Sequence, residues 1–416
     1  MLISGTTLSG TLVYATTIPY VAPTAGYLYG MGSPGLYYNG STFPALPWFG
    51  DGTAGVNYSS PTIVGSGSTW VDIAIGSNSS SGIKSDGTLW SWGRSMLGVL
   101  GNGTYVNRNS TVNGGGTYMA STPIQIGSDT TWRQVSIFTD TVGAIKTDGT
   151  LWMWGANSYG YGMLGTGNTT AYSSPVQTVA GGTNWAYVCC GEHVIATKTN
   201  GTLWTWGRNH QGQLGDGTTT NRSSPVQVGN GTDWSYTIAP SSSGSSTNWS
   251  AAIKQDGSLW LWGNNGYGNL GTNNTTDYSS PVQTVAGGNN WTQVNIMQSN
   301  VLATKSDGSL WGWGNNGSGQ LGDNLGVNKS SPVQVVTGAT NWSQLYKAFH
   351  PGSGGGAAAA LKTDGTLWTW GPNSGGQLGL GDRTQRFSPI QVGSLTTWIK
   401  AVPGRNGALT YAIRSS

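Results

Sequence analysis

Ile83-Lys84-Ser85-Asp86-Gly87-Thr88-Leu89-Trp90-Ser91-Trp92-Gly93 is the stretch that decides the fold, because close copies of it return five more times along the 416-residue chain. Its Asp-Gly pair, once replaced by Asn-Gly, is found again at successive steps of 62, 52, 56, 51 and 57 residues. A period of about 50 residues indicates a repeat architecture, in which each copy is one supersecondary unit. The copies of Asp86 are Asp148, Asn200, Asp256, Asp307 and Asp364.

Each repeat contains the signals of four short strands. Asp-Gly between apolar residues predicts a β-hairpin, and Trp90 and Trp92, two positions apart, share one face of their strand. A Ser-Pro-Val-Gln phrase predicts a further strand that opens near a proline, and a Trp-x-x-Val phrase predicts another. The chain is therefore predicted to be all-β, with four-stranded antiparallel blades arranged radially as a β-propeller.

The two ends of the chain predict a seventh blade made of two halves. Residues 26–69 resemble the second half of a repeat, and residues 398–416 resemble the first half and stop where the Asp-Gly turn is due. We expect one seven-bladed propeller at 26–416, closed by these halves, and an N-terminal extended arm at 1–25. The arm either lies along the edge of its own domain or pairs with a neighbouring subunit by adding a strand to its sheet.

The recurring acidic, glycine and tryptophan positions are assigned to structure. Repetition in copy after copy favours hairpin turns and packing between blades as their roles, and sugar binding is the alternative for the tryptophans. These positions are Asp86, Gly87, Trp90, Trp92, Asp148, Trp152, Trp154, Trp204, Trp206, Asp256, Trp260, Trp262, Asp307, Trp311, Trp313, Asp364, Trp368 and Trp370.

A basic residue lies two positions before each turn and also near the C-terminus, which predicts a ring of seven basic side chains. Two interpretations stay open. The side chains either keep the hairpin ends solvated, so that strand edges do not pair with other chains, or they bind an anionic partner. The positions are Lys84, Lys146, Lys198, Lys254, Lys305, Lys362 and Arg414.

Composition argues against several classes of function. Charged residues are 8% of the chain and the net charge is +3, so we expect no nucleic-acid binding. The adjacent Cys189 and Cys190 point to opposite faces of a strand, and three scattered histidines show no ligand spacing, so we expect no metal or other cofactor. The N-terminus has no signal-peptide pattern and no continuous apolar run, which predicts no membrane insertion. No catalytic constellation is recognised.

Segments that the repeat does not determine are where we look for partner contacts. Residues 104–121, 237–248 and 350–356 exceed the usual repeat length and are either plain surface loops or parts of a binding face. Aromatic residues outside the repeat pattern are the predicted contacts. They are Tyr14 and Tyr20 in the arm, Tyr37 and Tyr38 in the degenerate blade, and Tyr105 and Tyr118 in the first insertion.

The repeated Asp-Gly-x-Leu-Trp-x-Trp-Gly and Gly-x-Leu-Gly phrases resemble those of the regulator of chromosome condensation repeat family, over residues 26–416. The resemblance implies a seven-bladed propeller. It implies no single function, because the family includes a nucleotide-exchange factor that binds chromatin, a secreted inhibitor of β-lactamases and many scaffold modules.

From its composition and uncharged N-terminus we expect a non-enzymatic structural or adhesive protein, most specifically a bacteriophage virion component such as a decoration, tail or fibre protein. Its expected partners are other subunits of the particle, bound through residues 1–25, and a host-surface protein or glycan. A secreted bacterial binding protein, lectin or protein inhibitor is the alternative. An enzyme is a third class, which a polar pocket on the propeller axis would favour.

Overall fold

The computed structural model describes 28 β-strands, two pairs of them in separate small sheets and the others in six four-stranded sheets. The described residues are 29–32, 58–63, 70–76, 79–105, 119–157, 160–238, 248–297, 299–347, 357–374, 378–396, 398–403 and 410–414.

The six four-stranded sheets follow one another along the chain and are numbered in that order. Sheet 1 is β3 (Trp70–Ile75), β4 (Ser79–Lys84), β5 (Leu89–Arg94) and β6 (Met119–Gln125). Sheet 2 is β7 (Trp132–Phe138), β8 (Thr141–Lys146), β9 (Leu151–Gly155) and β10 (Tyr172–Gln177). Sheet 3 is β11 (Trp185–Cys190), β12 (His193–Lys198), β13 (Leu203–Gly207) and β14 (Arg222–Gln227). Sheet 4 is β15 (Trp234–Ile238), β16 (Trp249–Lys254), β17 (Leu259–Gly263) and β18 (Tyr278–Gln283). Sheet 5 is β19 (Trp291–Ile296), β20 (Asn300–Lys305), β21 (Leu310–Gly314) and β22 (Lys329–Gln334). Sheet 6 is β23 (Trp342–Lys347), β24 (Ala358–Lys362), β25 (Leu367–Gly371) and β26 (Arg386–Gln391). The two-stranded sheets pair β1 (Tyr29–Gly32) with β2 (Tyr58–Ile63), and β27 (Trp398–Pro403) with β28 (Thr410–Arg414).

In every four-stranded sheet each strand pairs antiparallel with the next one along the chain. The first strand of one sheet contacts the first strand of the next, as β3 does with β7 and β19 with β23. Sheets that meet along their first strands fit a radial arrangement around a common axis. The all-β prediction and the four-stranded antiparallel units are thereby confirmed.

A chain of hydrogen bonds explains why each turn reads Asp-Gly followed by Thr or Ser. In sheet 1 the Asp86 carboxylate accepts from the Thr88 hydroxyl (2.6 Å), and that hydroxyl accepts from Trp90 Nε1 (2.7 Å). Gly87 has a φ of +77°, and a Cβ there would collide with the Thr130 carbonyl oxygen, so glycine is needed at this turn. The other five turns repeat the arrangement, through Asp148-Thr150-Trp152, Asn200-Thr202-Trp204, Asp256-Ser258-Trp260, Asp307-Ser309-Trp311 and Asp364-Thr366-Trp368.

The second tryptophan of each phrase joins neighbouring sheets. Trp206 of sheet 3 is fully buried, and its Nε1 donates to the Met163 carbonyl oxygen of sheet 2 at 2.9 Å. These indoles are therefore packed between neighbouring sheets. The equivalent bonds join Trp154 to Val99, Trp262 to Gln213, Trp313 to Asn269 and Trp370 to Gln320.

Side-chain amides also bind the first strand of the next sheet. Gln134 on β7 donates to the Val188 carbonyl oxygen (2.7 Å) and accepts from the Val188 backbone N–H (3.1 Å) on β11. Gln293 on β19 similarly donates to the Ser343 carbonyl oxygen and accepts from the Leu345 N–H on β23. Between sheets 1 and 2, an Asp72 carboxylate oxygen accepts from the Val135 N–H. Each first strand is an edge strand of its sheet, so these side chains satisfy backbone groups that have no neighbouring strand to pair with.

The two ends of the sheets are formed by different connections between strands. The turns between second and third strands form the hairpin end, where the first strand of the next sheet begins. Trp132 N–H, for example, donates to the Gly87 carbonyl oxygen, and the same bond recurs at the next four sheet junctions and from Trp398 to Gly365. We call the opposite end the loop end. It consists of the turns between first and second strands and the segments between third and fourth strands, the 3–4 loops.

Candidate functional site

All three insertions leave the sheets at the loop end. Residues 104–121 lead from the third strand of sheet 1 into its fourth, which begins at Met119. Residues 237–248 connect the first strand of sheet 4, which ends at Ile238, to its second, and 350–356 lie between the first and second strands of sheet 6. The hairpin end, in contrast, repeats one turn six times with the same residue types. Variation is thus concentrated at the loop end, which is where a specific partner can be distinguished.

A group of four side chains at the loop end of sheets 2 and 3 does not belong to the repeat, and we call it the polar cluster. Arg208 lies next to Glu192, the only glutamate of the chain, with 3.0 Å from Nη1 to Oε2. The Arg208 guanidinium stands over the Tyr161 ring at 5.4 Å, and His210 packs edge-on against the same ring at 5.3 Å. The cluster thus joins one ion pair to two aromatic rings, packed edge to face, across a sheet boundary.

The ion pair is mostly withdrawn from water. The Glu192 and Arg208 side chains are 16% and 22% exposed. Burial raises the pKa of Glu192 above its ordinary value, and the hydrogen bond and charge of Arg208 oppose that change. Because each charge is compensated by the other, losing one partner would leave a buried charge, whereas losing both would not.

His193, next to Glu192 in the chain, lies on sheet 3, and its side chain contacts sheet 4. Its Nε2 lies 2.6 Å from Ser250 Oγ, and the Ser250 hydroxyl donates to the Gln213 carbonyl oxygen. The hydroxyl proton is therefore engaged, so His193 Nε2 carries a proton and donates to Ser250. His193 Nδ1 is then an acceptor with no partner among the described residues. Burial lowers the pKa of His193 from 6.5 to about 3, which keeps the ring neutral.

The predicted ring of lysines lies at the hairpin end, and each described lysine is held between two tryptophans of its own sheet. Lys198 Nζ is 4.6 Å from the ring centres of both Trp185 and Trp204. Burial lowers the pKa of Lys198 below its ordinary value. The same pairing holds for Lys84, Lys146, Lys254, Lys305 and Lys362. Neither sequence-based interpretation included these indoles, which orient the ammonium groups and partly cover them.

Of the tyrosines predicted as partner contacts, Tyr105 alone falls within the described residues, where it is 51% exposed at the end of the first 3–4 loop segment. The predicted contacts Tyr14, Tyr20, Tyr37, Tyr38 and Tyr118 lie outside the described residues. The polar cluster was missed by sequence reasoning. Glu192 could have been noticed as the single glutamate, but its pairing with Arg208 depends on two loops that meet only in the fold.

Neither Cys189 nor Cys190 forms a disulfide, and burial raises the pKa of the Cys190 thiol, which packs beside Gly143 and Met153 of sheet 2. Within the described ranges, no group of three or more His, Cys, Asp or Glu side chains is placed to hold a metal ion. The same part of the chain contains no helix with the length and apolar character needed to span a bilayer.

The sequence matches the family model of the RCC1-like domain over residues 40–410. It is 29% identical over 330 residues to the ultraviolet-B receptor UVR8 of Arabidopsis thaliana, covering 77% of this chain and 69% of that protein. It is 28% identical over 328 residues to the mitochondrial RCC1 domain-containing protein RUG3 of the same plant, covering 76% and 68%. The fold is similar to that of yeast RCC1 (Prp20), solved bound to Kap60, with a TM-score of 0.70 at 16% identity over 100% of this chain and 96% of that chain.

These similarities correct two expectations. A bacteriophage virion component, and a virion location, are wrong, because the matched relatives are eukaryotic cellular RCC1-like proteins. The error came from composition: few charges and many Gly, Thr and Trp residues follow from the repeat itself and carry no information about where the protein works. The resemblance read from the repeated phrases is confirmed, and the chain belongs to the family of RCC1-like domains.

Proposed function

We propose that the chain is a non-catalytic binding protein of the regulatory kind, and that its loop end binds a protein partner. The observation that carries the proposal is that the strands flanking every long insertion are joined to it at the end of the sheets that also holds the polar cluster. Yeast RCC1 (Prp20), whose fold is similar, has been solved bound to a protein, Kap60, which supports a protein as the class of ligand.

The polar cluster supplies suitable chemistry for such a contact. Tyr161 and His210 offer aromatic faces, and Arg208 and Glu192 are fixed by each other, so that little conformational freedom is lost on binding. Tyrosine and arginine are enriched among residues that dominate binding free energy at interfaces.

The test compares loop-end and hairpin-end variants against a partner captured by the wild-type protein. Tyr161→Ala and the double variant Glu192→Gln/Arg208→Gln, which removes both charges together, should weaken binding at least about tenfold. Lys305→Met at the hairpin end is the control and should leave affinity within about twofold. A partner that loses affinity with the hairpin-end variant alone would overturn the proposal.

We further propose that residues 26–416 form one seven-bladed propeller and that the arm at 1–25 lies outside it. Strands β27 and β28 pair in the register of a first and second strand, with Trp398 opposite Arg414 as Trp342 is opposite Lys362. Strands β1 and β2 repeat the register of a third and fourth strand. The double variant Tyr29→Cys/Ala412→Cys should therefore form a cross-strand disulfide, and its absence under oxidising conditions would count against a shared blade.

A further inference from the structure

Five 3–4 loops, in sheets 2 to 6, are built on the same frame. An asparagine at the start of each loop donates its side-chain amide to carbonyl oxygens farther along, as Asn209 does to Thr218 and Thr220 at 3.0 Å. Its own oxygen accepts from a leucine N–H, here Leu214. The equivalent asparagines are Asn157, Asn265, Asn316 and Asn373. The molecule thus contains five versions of one loop that can be compared position by position.

Sheet 5 differs from the others at the two positions whose carbonyl oxygens accept these bonds. Asn316 holds Leu325 and Val327, whose side chains are 50% and 62% exposed. The other four loops carry polar side chains there. They have Asn168 and Thr170, Thr218 and Thr220, Asn274 and Thr276, and Asp382 and Thr384. Three of them keep both bonds, and in sheet 4 Asn265 donates to the Asn274 carbonyl oxygen. The fold therefore has no need of leucine and valine at these positions, and half-exposed apolar side chains add little to stability.

A matching change occurs where this loop meets sheet 6. Asn324 N–H donates to the Phe387 carbonyl oxygen at 2.9 Å, and a Cβ on Gly326 would lie 3.2 Å from the Phe387 ring. In the other described loops of this kind, the residue that accepts the equivalent bond is a serine: Ser173, Ser223, Ser279 and Ser330. Phe387 is 36% exposed. We call Leu325, Val327 and Phe387 the apolar patch.

The charges beside the patch also depart from the repeat. In sheet 3, Asp216 Oδ2 is paired with Arg222 Nε at 2.7 Å. The equivalent Asp323 keeps the Oδ1 contacts, with Asn316 and the Leu325 N–H, but its buried Oδ2 has no hydrogen-bond partner among the described residues. Lys329, two residues after Val327, has no ion pair within the described parts of the chain. A cation is thereby left at the margin of exposed apolar surface.

We propose that the apolar patch binds a peptide segment of a partner protein that presents apolar side chains next to a carboxylate. The apolar side chains would cover Leu325, Val327 and Phe387, and the carboxylate would pair with Lys329. The loop is already fixed by Asn316, so binding would not have to order it. Three partly exposed side chains offer far less area than the roughly 1,200–2,000 Å² of a stable dimer, which favours a short segment over a second copy. The apolar patch lies on sheets 5 and 6 and shares no residue with the polar cluster, which lies on sheets 2 and 3.

The test selects short random peptides on the wild-type protein, with Leu325→Thr/Val327→Thr/Phe387→Ser as the counter-selected variant. That variant carries the residue types of the other loops, so it should fold and unfold cooperatively, with only a small loss of stability from the partly buried Phe387 ring. We expect recovered peptides to combine apolar residues with Asp or Glu, to lose at least about tenfold in affinity on the variant, and to lose about threefold on Lys329→Gln.

A transplant makes the test reciprocal. Thr218→Leu/Thr219→Gly/Thr220→Val/Arg222→Lys/Ser279→Phe places the patch and its lysine at the equivalent junction of sheets 3 and 4, and should raise the number of bound peptides from one to two. Peptides that bind the restored variant equally well, peptides without acidic residues, or patch-dependent self-association in sedimentation velocity would each overturn the proposal. Glu192→Gln/Arg208→Gln should leave peptide binding unchanged, which separates this site from the polar cluster.

Discussion

Acidification should destabilise the protein through His193, well above the pH at which its aspartates are protonated. The folded state holds this ring neutral with a pKa of about 3, whereas the unfolded chain binds a proton with a pKa near 6.5. Between these values the unfolded state binds more protons, so the free energy of unfolding falls as pH falls through 6.5. The folded state resists the proton because Nδ1 is buried without a partner, and charging it would place an unpaired cation between sheets 3 and 4.

The size of the effect follows from the two pKa values. At pH 5 the unfolded chain gains ~2 kcal/mol from protonating His193, and the folded state gains almost nothing. At pH 8 neither state is protonated, so this loss is absent. Glu192 acts in the opposite direction, because its raised pKa makes the folded state bind protons more readily as pH falls. A comparison with a variant at His193 cancels that contribution.

The assay is urea unfolding followed by tryptophan fluorescence from pH 8 to pH 5, for the wild type and for His193→Asn. Asparagine is the residue at the equivalent position in sheet 5, Asn300, so its size is compatible with the fold. The wild type should lose ~2 kcal/mol more than His193→Asn over this range. His210→Asn, at an exposed histidine, is the control and should follow the wild type. Equal pH dependence in the wild type and His193→Asn would refute the reasoning.

Three further predictions concern contacts that hold the sheets. Thr202→Val removes the hydroxyl between Asn200 and Trp204 and should lower the free energy of unfolding by about 1 kcal/mol, against no change for the exposed Thr219→Val; equal stabilities would show that the hydroxyl is idle. Gln134→Ala should accelerate hydrogen exchange at the Val188 amide at least about tenfold, whereas Gln134→Glu keeps the acceptor and much of the protection; unchanged exchange in the alanine variant would contradict the role of the amide. Lys198→Met keeps the aliphatic stem but removes the charge between Trp185 and Trp204, and should lower the free energy of unfolding by about 0.5–1 kcal/mol in thermal unfolding. A variant as stable as the wild type, or more stable, would contradict this role of the charge.

What the sequence could predict was what repeats. Asp-Gly turns, the strand count per unit and the family resemblance all followed from local patterns seen six times. The hydroxyl that joins Asp86 to Trp90 was present in the phrase as Thr or Ser, but its role depends on side-chain directions that a pattern does not contain. The lysines were recognised as a ring, yet their contacts with Trp70 and its equivalents require two strands to be side by side.

What the sequence could not predict was what happens once. Glu192 and Arg208 come together only because two loops of sheet 3 meet, and Tyr161 reaches them from sheet 2. Their spacing along the chain follows no periodicity. Leu325 and Phe387 are intermediate in this respect. Aligning the repeats would have shown both as departures, but only the fold shows that Gly326, next to Leu325, lies against the Phe387 ring.

The tryptophan bonds between sheets all run in one direction, and this affects how the chain assembles during synthesis. The indole of Trp206 donates to a loop of sheet 2, which is synthesised earlier. The Gln213 carbonyl of sheet 3 accepts from Trp262 of sheet 4, which is synthesised later. Each sheet therefore supplies a carbonyl acceptor for an indole of the next sheet, and that carbonyl has no donor until the next sheet has folded. A single excised repeat would keep an indole with no acceptor and a carbonyl with no donor. Folding should accordingly advance from the N-terminal side as a growing edge, and its stability should accrue with each added sheet.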